Sequence, residues 1–167
     1  MTQPNQTNDL PDSQTKIWVD ADACPGAIKD ILFRTAKRLE VEVTLVANQS
    51  IRVPDSKFIH SITVRDGADI ADNHIAIAMG EGDIVITSDI PLAARAVEKG
   101  GVAIGSRGEL FDDATVHGRL ASRNLMDQLR SAGMETSGPK PLSKKDVQTF
   151  ANQLDRMLTK MKKRKRN

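Results

Sequence analysis

Five short apolar runs punctuate this chain, at residues 16–20, 41–46, 59–64, 83–87 and 102–104. Runs of this length are too short for helices and suit strands. Helical spacing fills three of the four gaps between them. In the first gap Ile28, Ile31, Leu32, Thr35, Ala36 and Leu39 recur at three- and four-residue steps, and Pro25 precedes them where a missing N–H is tolerated. Further helices are expected over residues 69–79 and 90–98, each closed by glycine. Strands separated by helices need crossover connections, which parallel pairing accepts and hairpins do not. The expectation is an α/β fold whose sheet of about five strands is largely parallel.

Two more helices follow the strands. Residues 115–130 form one. Ser143 opens the other, with Asp146 three residues on as a capping box in which Asp replaces Glu, and Phe150, Leu154, Met157, Leu158 and Met161 supply its apolar face. A Gly/Pro-rich stretch, SAGMETSGPKPL, separates the two. No repeat interrupts the pattern, so residues 16–158 read as a single domain. A polar leader, 1–15, precedes it and is expected to be disordered; a basic tail, 159–167, follows.

Composition narrows the partners. Tyrosine is absent and aromatics are 3% of the 167 residues, so the core is aliphatic and platforms for stacking bases are scarce. The net charge of +2 hides an asymmetry: six lysines and arginines fall within the last eight residues, leaving the remainder acidic. That tail suits RNA or another polyanion, or else a solvated helix end. One cysteine forbids an intrachain disulfide and fits a reducing cytoplasm. The amino-terminal segment has no signal-peptide pattern, and no apolar run nears the roughly 20 residues of a membrane span. A cytoplasmic protein without membrane contact is expected, its oligomeric state unspecified.

Carboxylates collect where strands end. Asp20 and Asp22 follow the first run, Asp89 follows the fourth, and Asp69 and Asp72 open the helix between them, three residues apart. Taken singly, Asp22, Asp69 and Asp89 are well explained as helix N-caps, a role worth about 1 kcal/mol. Taken together, they point to one edge of a parallel sheet, where ligands usually bind. Like charges gathered there oppose folding unless something compensates. A hard cation such as Mg²⁺ or Mn²⁺ does so with oxygen ligands.

Longer motifs add to this. ITSDIPLAARA, residues 86–96, is similar to the TxDxxLAxxA pattern of PIN-domain nucleases, with Thr87, Asp89, Leu92, Ala93 and Ala96 at the matching positions. VDADACP (19–25), GADIADNHIA (67–76), TSDIPLA (87–93) and SRG (106–108) resemble the YaiI/YqxD family of bacterial proteins, over about residues 17–158. That family is grouped with the PIN-like superfamily. The resemblance implies a three-layer α/β/α PIN-like fold whose aspartates hold Mg²⁺ or Mn²⁺ for phosphodiester hydrolysis; nucleic acid is the expected partner, RNA ahead of DNA. Asp20 would be the first-strand acid, Asp89 the fourth-strand acid, and Asp69 or Asp72 the acid on the middle helix. Asp22 is an addition to the PIN pattern, and Asp112 and Asp113 are the candidates for its later acidic pair. Asp20, Asp72 and Asp89 are thus the candidate catalytic residues, and these with Asp22 and Asp69 the candidate ligands. Arg107, Arg119, Arg123 and Thr87 are the candidate substrate contacts, although a surface ion pair explains each arginine better when it is taken alone.

Other readings compete. An apolar strand followed by DxD is also the first motif of haloacid-dehalogenase-like phosphotransferases, in which Asp20 would be the nucleophile and Asp22 the general acid. A non-catalytic RNA-binding protein on a PIN-like scaffold is the third reading. Cys24 lies at a helix start that would lower its pKa, beside aspartates that would raise it, and is expected to pack. His60, His74 and His117 are expected to be structural or at the surface.

Overall fold

The computed structural model describes residues 14–67, 69–135 and 140–166, with side chains described through Lys162. All but the last two residues of the leader, residues 136–139 of the Gly/Pro stretch and the side chains of residues 163–167 lie outside the described residues.

The strands are β1 (Ile17–Asp20), β2 (Val43–Ala47), β3 (Ile59–Thr63), β4 (Ile84–Ile86), β5 (Val102–Ile104) and β6 (Leu110–Phe111). The helices are α1 (Gly26–Leu39), α2 (Ile70–Ala78), α3 (Ile90–Glu98), α4 (Val116–Ser131) and α5 (Lys144–Arg166). The six strands form one sheet in the order β3-β2-β1-β4-β5-β6. The first five are parallel, as the alternation requires, and β6 returns antiparallel to β5, pairing Leu110 with Ile104 and Phe111 with Ala103.

Both faces of the sheet are covered, so strand residues are buried alternately in two cores. Ile17, Val19, Ile84, Ile86, Val102 and Ile104 meet α1 and α5 through Ile28, Leu32, Ala36, Phe150, Leu154, Met157, Leu158 and Met161. Trp18, Val46, Val85 and Ala103 meet α2 and α3 through Ala71, Ile75, Ala76, Leu92, Ala93, Ala96 and Val97, and Val116 of α4 joins them. The three layers follow from this. The capping box at α5 is present in both directions: Ser143 N donates to Asp146 Oδ2 and Asp146 N to Ser143 Oγ. Helix α5 runs on to Arg166, and Met161 is fully buried, so the core extends beyond residue 158.

Buried Asp83 closes the amino end of the sheet. Its carboxylate accepts from Lys16 N, Trp18 Nε1 and Gly80 N at 2.9–3.1 Å, joining the entry to β1 with the turn before β4. The opposite, carboxyl end is where strand order reverses: from β1 the chain moves outward to β2 and β3, then returns to β4 on the other side. Such a switch point leaves a crevice between the ends of two neighbouring strands, here β1 and β4.

Candidate functional site

Three carboxylates converge on this crevice from three elements. Asp20 ends β1, Asp89 follows β4, and Asp72 lies in the first turn of α2, which packs across β1 and β2. Buried Thr87 ties two of them together. Its hydroxyl donates to Asp20 Oδ2 at 2.9 Å, and its oxygen accepts from Asp89 N at 3.0 Å. Asp89 also caps α3, its Oδ1 accepting from Leu92 N at 3.1 Å.

The electrostatics record the crowding. Burial pushes the Asp20 carboxyl above its ordinary range; the Thr87 hydrogen bond opposes this, and the charges of Asp89 and Asp22 add to it. Asp72 is raised to about 7, first by burial, then by the charges of Asp89 and Asp20, a hydrogen bond shared with Asp89, and the charge of Asp69. Near neutral pH, therefore, the Asp72 carboxyl holds its proton far more readily than an ordinary carboxyl does.

The remaining candidates fall at varied distances from this centre. Asp22 lies in a 3-10 turn, Ala21–Ala23, rather than at a cap, and its Oδ2 accepts from Asn48 N at 2.8 Å. Asp69 is the N-cap of α2, in a left-handed conformation (φ 64°) and without a side-chain capping bond. Its charge nonetheless adds to the rise at Asp72. Asp112 caps the turn before α4, accepting from Ala114 N and Thr115 N. Asp113 lines with it a cavity of about 250 Å³ beside Gly100, Gly101 and Lys160, at the amino end of β5 and away from the crevice.

The arginines are engaged elsewhere. Arg107 pairs with Asp146 and also donates to Pro141 O, which holds the start of α5. Arg119 lies over the Phe111 ring at 5.8 Å, and Arg123 pairs with Asp127 at 3.1 Å. The Cys24 thiol is pushed up to about 12 by burial, with Lys29 opposing and Asp20 adding, so it packs as an unreactive thiol. His60 pairs with Glu42 at the surface, and His74 is half-buried on α2.

Sequence reasoning passed over three residues at this edge. Asn48 follows β2, and its Oδ1 is buried without a hydrogen-bond partner. Ser88 and Ser106 follow β4 and β5, and their hydroxyls lie 3.4 Å apart. Each serine sits inside a motif already singled out, TSD or SRG, and that adjacency was the available signal.

A hard cation suits this chemistry in part. The donors are carboxylate oxygens, burial and then repulsion raise the proton affinity of two of them, and the Asn48 oxygen is unclaimed. As the side chains stand, no three His, Cys, Asp or Glu among the described residues are grouped closely enough to enclose an ion.

The profile described as "Uncharacterized BCR, YaiI/YqxD family" matches residues 18–160. The chain belongs to the YaiI/YqxD family. A UPF0178 protein of Herminiimonas arsenicoxydans is 56% identical over 144 residues, covering 86% of this chain and 97% of its own. UPF0178 proteins of Shewanella piezotolerans and Pectobacterium carotovorum are 50% and 53% identical, covering 90% and 89% of this chain and 99% of their own. No solved structure matches the chain. The YaiI/YqxD match takes in every carboxylate of the crevice. Among the described residues no helix is long and apolar enough to cross a membrane.

Proposed function

We propose that the crevice between β1 and β4 is the active site of a divalent-cation-dependent phosphodiesterase acting on nucleic acid, RNA rather than DNA. One observation carries this reading: Asp20, Asp72 and Asp89 come near enough at the switch point for their charges to act on one another, and burial together with those charges raises the proton affinity of Asp20 and Asp72. Such frustration is costly in a purely structural role and is common where charge is handled. The likeness of residues 86–96 to the PIN-nuclease pattern supports the reaction class, and the six cations near the carboxyl terminus support a polyanionic substrate.

Asp20, Asp72 and Asp89 would hold Mg²⁺ or Mn²⁺, with Asp22 and Asp69 adding negative potential from the rim. When bound, the cation supplies Lewis acidity toward a phosphate oxygen and toward water. The chain's own residues do the rest. Thr87 fixes the Asp20 carboxylate and the Asp89 backbone, so two of the three acids arrive preorganised. An aspartate of the cluster would take the proton from the attacking water; the raised Asp72 carboxyl, at about 7, supports that role near neutral pH for the share of its time it is not bound to the cation.

The test is cleavage of single-stranded RNA with Mn²⁺ or Mg²⁺, alongside calorimetric titration of Mn²⁺. Asp20→Asn and Asp89→Asn are each expected to lower cleavage by about 100-fold or more while the protein stays folded. Equal absence of Mn²⁺ binding in the wild type and Asp20→Asn would overturn the catalytic reading. RNA binding without cleavage under any cation would leave a non-catalytic scaffold.

A further inference from the structure

On the function proposed above the carboxylates hold a cation, and a phosphate beside it also needs hydrogen-bond donors. The three arginines expected to supply them are engaged with Asp146, the Phe111 ring and Asp127. Two serines stand in the right place instead. Ser88 lies between Thr87 and Asp89 and is exposed; Ser106 is half-buried in the loop that follows β5. Pairing of Ile86 with Ile104 sets the two strand ends level, and Thr87 N continues that ladder by donating to Ile104 O at 3.1 Å.

Their mutual contact is weak. The hydroxyl oxygens are 3.4 Å apart, and Ser106 N reaches Ser88 Oγ at 3.3 Å. Both distances lie beyond the usual range for strong bonds. An anionic oxygen accepting from both hydroxyls would sit about 2.7 Å from each, and a 3.4 Å separation permits that. Bonds to a charged acceptor are roughly twice as strong as neutral ones, so a phosphate oxygen would displace the contact the serines make with each other. The loop's carboxylate, Glu109, is turned back onto Arg107 N at 3.1 Å, and Gly105 leaves the room for it. Asp89 is the anion that opposes a phosphate here, so the cation must bind first.

We propose that Ser88 and Ser106 form a phosphate-oxygen subsite flanking the carboxylate cluster, a reading that rests on the function proposed above. The probe is uridine 5′-monophosphate, titrated by calorimetry into the full chain with and without saturating Mn²⁺. The wild type is expected to bind it only with Mn²⁺. The Ser88→Ala/Ser106→Ala double variant is expected to hold Mn²⁺ within about twofold of wild type and to lose about tenfold in nucleotide affinity. Ser106→Thr, which keeps the hydroxyl, should retain most of that affinity, and thermal midpoints confirm that all variants fold. Unchanged nucleotide affinity in the double variant, or no nucleotide binding by the Mn²⁺-loaded wild type, overturns the subsite and leaves the cation site standing. Failure of the wild type to bind Mn²⁺ overturns the cation site and the subsite with it.

Discussion

The Asp72 carboxyl is raised well above its ordinary range, and its pH dependence has a definite sign. Its folded pKa, about 7, exceeds the ordinary 3.8, so the folded protein holds this proton more tightly than the unfolded chain. Stability from this source is complete below pH 3.8 and is lost as pH rises through 7. In EDTA, the thermal midpoint should therefore be higher at pH 6 than at pH 8, and Asp72→Asn should flatten the slope. Because Asp72 is only part-buried, screening holds the effect to about 1 kcal/mol, or ~3 °C. A steeper slope in Asp72→Asn would contradict this origin. Thr87→Val preserves shape but leaves Asp20 Oδ2 and Asp89 N without their partner. It should cost about 1–3 kcal/mol by urea unfolding and weaken Mn²⁺ binding. Asp83→Ala strips three part-buried donors of their buried acceptor at the other end of the sheet. It should cost about 3 kcal/mol without changing Mn²⁺ affinity.

At the scale of elements, apolar patterning placed β1 to β5 and every helix to within a few residues, because a two-sided sheet requires continuous short apolar runs. Strand β6 escaped. It has two residues, and its pairing with β5 depends on the turn through Gly105 and Gly108 rather than on a run of its own. Gly108 has φ 88°, and a Cβ there would strike Thr149 and the backbone of Phe150, so the loop that carries Ser106 can rest directly on α5. The start of that helix was legible as a capping box. The Asp146 carboxyl is held below the usual range by the Ser143 N–H, with the Ser143 hydroxyl bond and Arg107 adding to it. Ser143→Ala should lower stability by about 1 kcal/mol in chemical denaturation. Arg107 resisted sequence reading because an arginine's partner depends on which distant element packs beside it.

For the molecule as a whole, charge and core overlap at the carboxyl terminus. Under the proposed function, deleting residues 163–167 should lower RNA affinity and its salt dependence. Deleting 159–167 also removes buried Met161 and should cost about 2–5 kcal/mol. Equal stability of the two truncations would show that Met161 contributes nothing to the core. What the residues decide locally is the layered α/β architecture, the aliphatic core and the carboxylates at strand ends, because periodicity and end chemistry act over a few residues. Strand order is not local. Only packing sets β1 beside β4, and that choice brings the charges of Asp20, Asp89 and Asp72 within reach of one another. It also turns Arg107 toward α5 and levels Ser88 with Ser106. Charges and hydroxyls act over a few ångströms, and which of them lie that close is a property of the folded sheet.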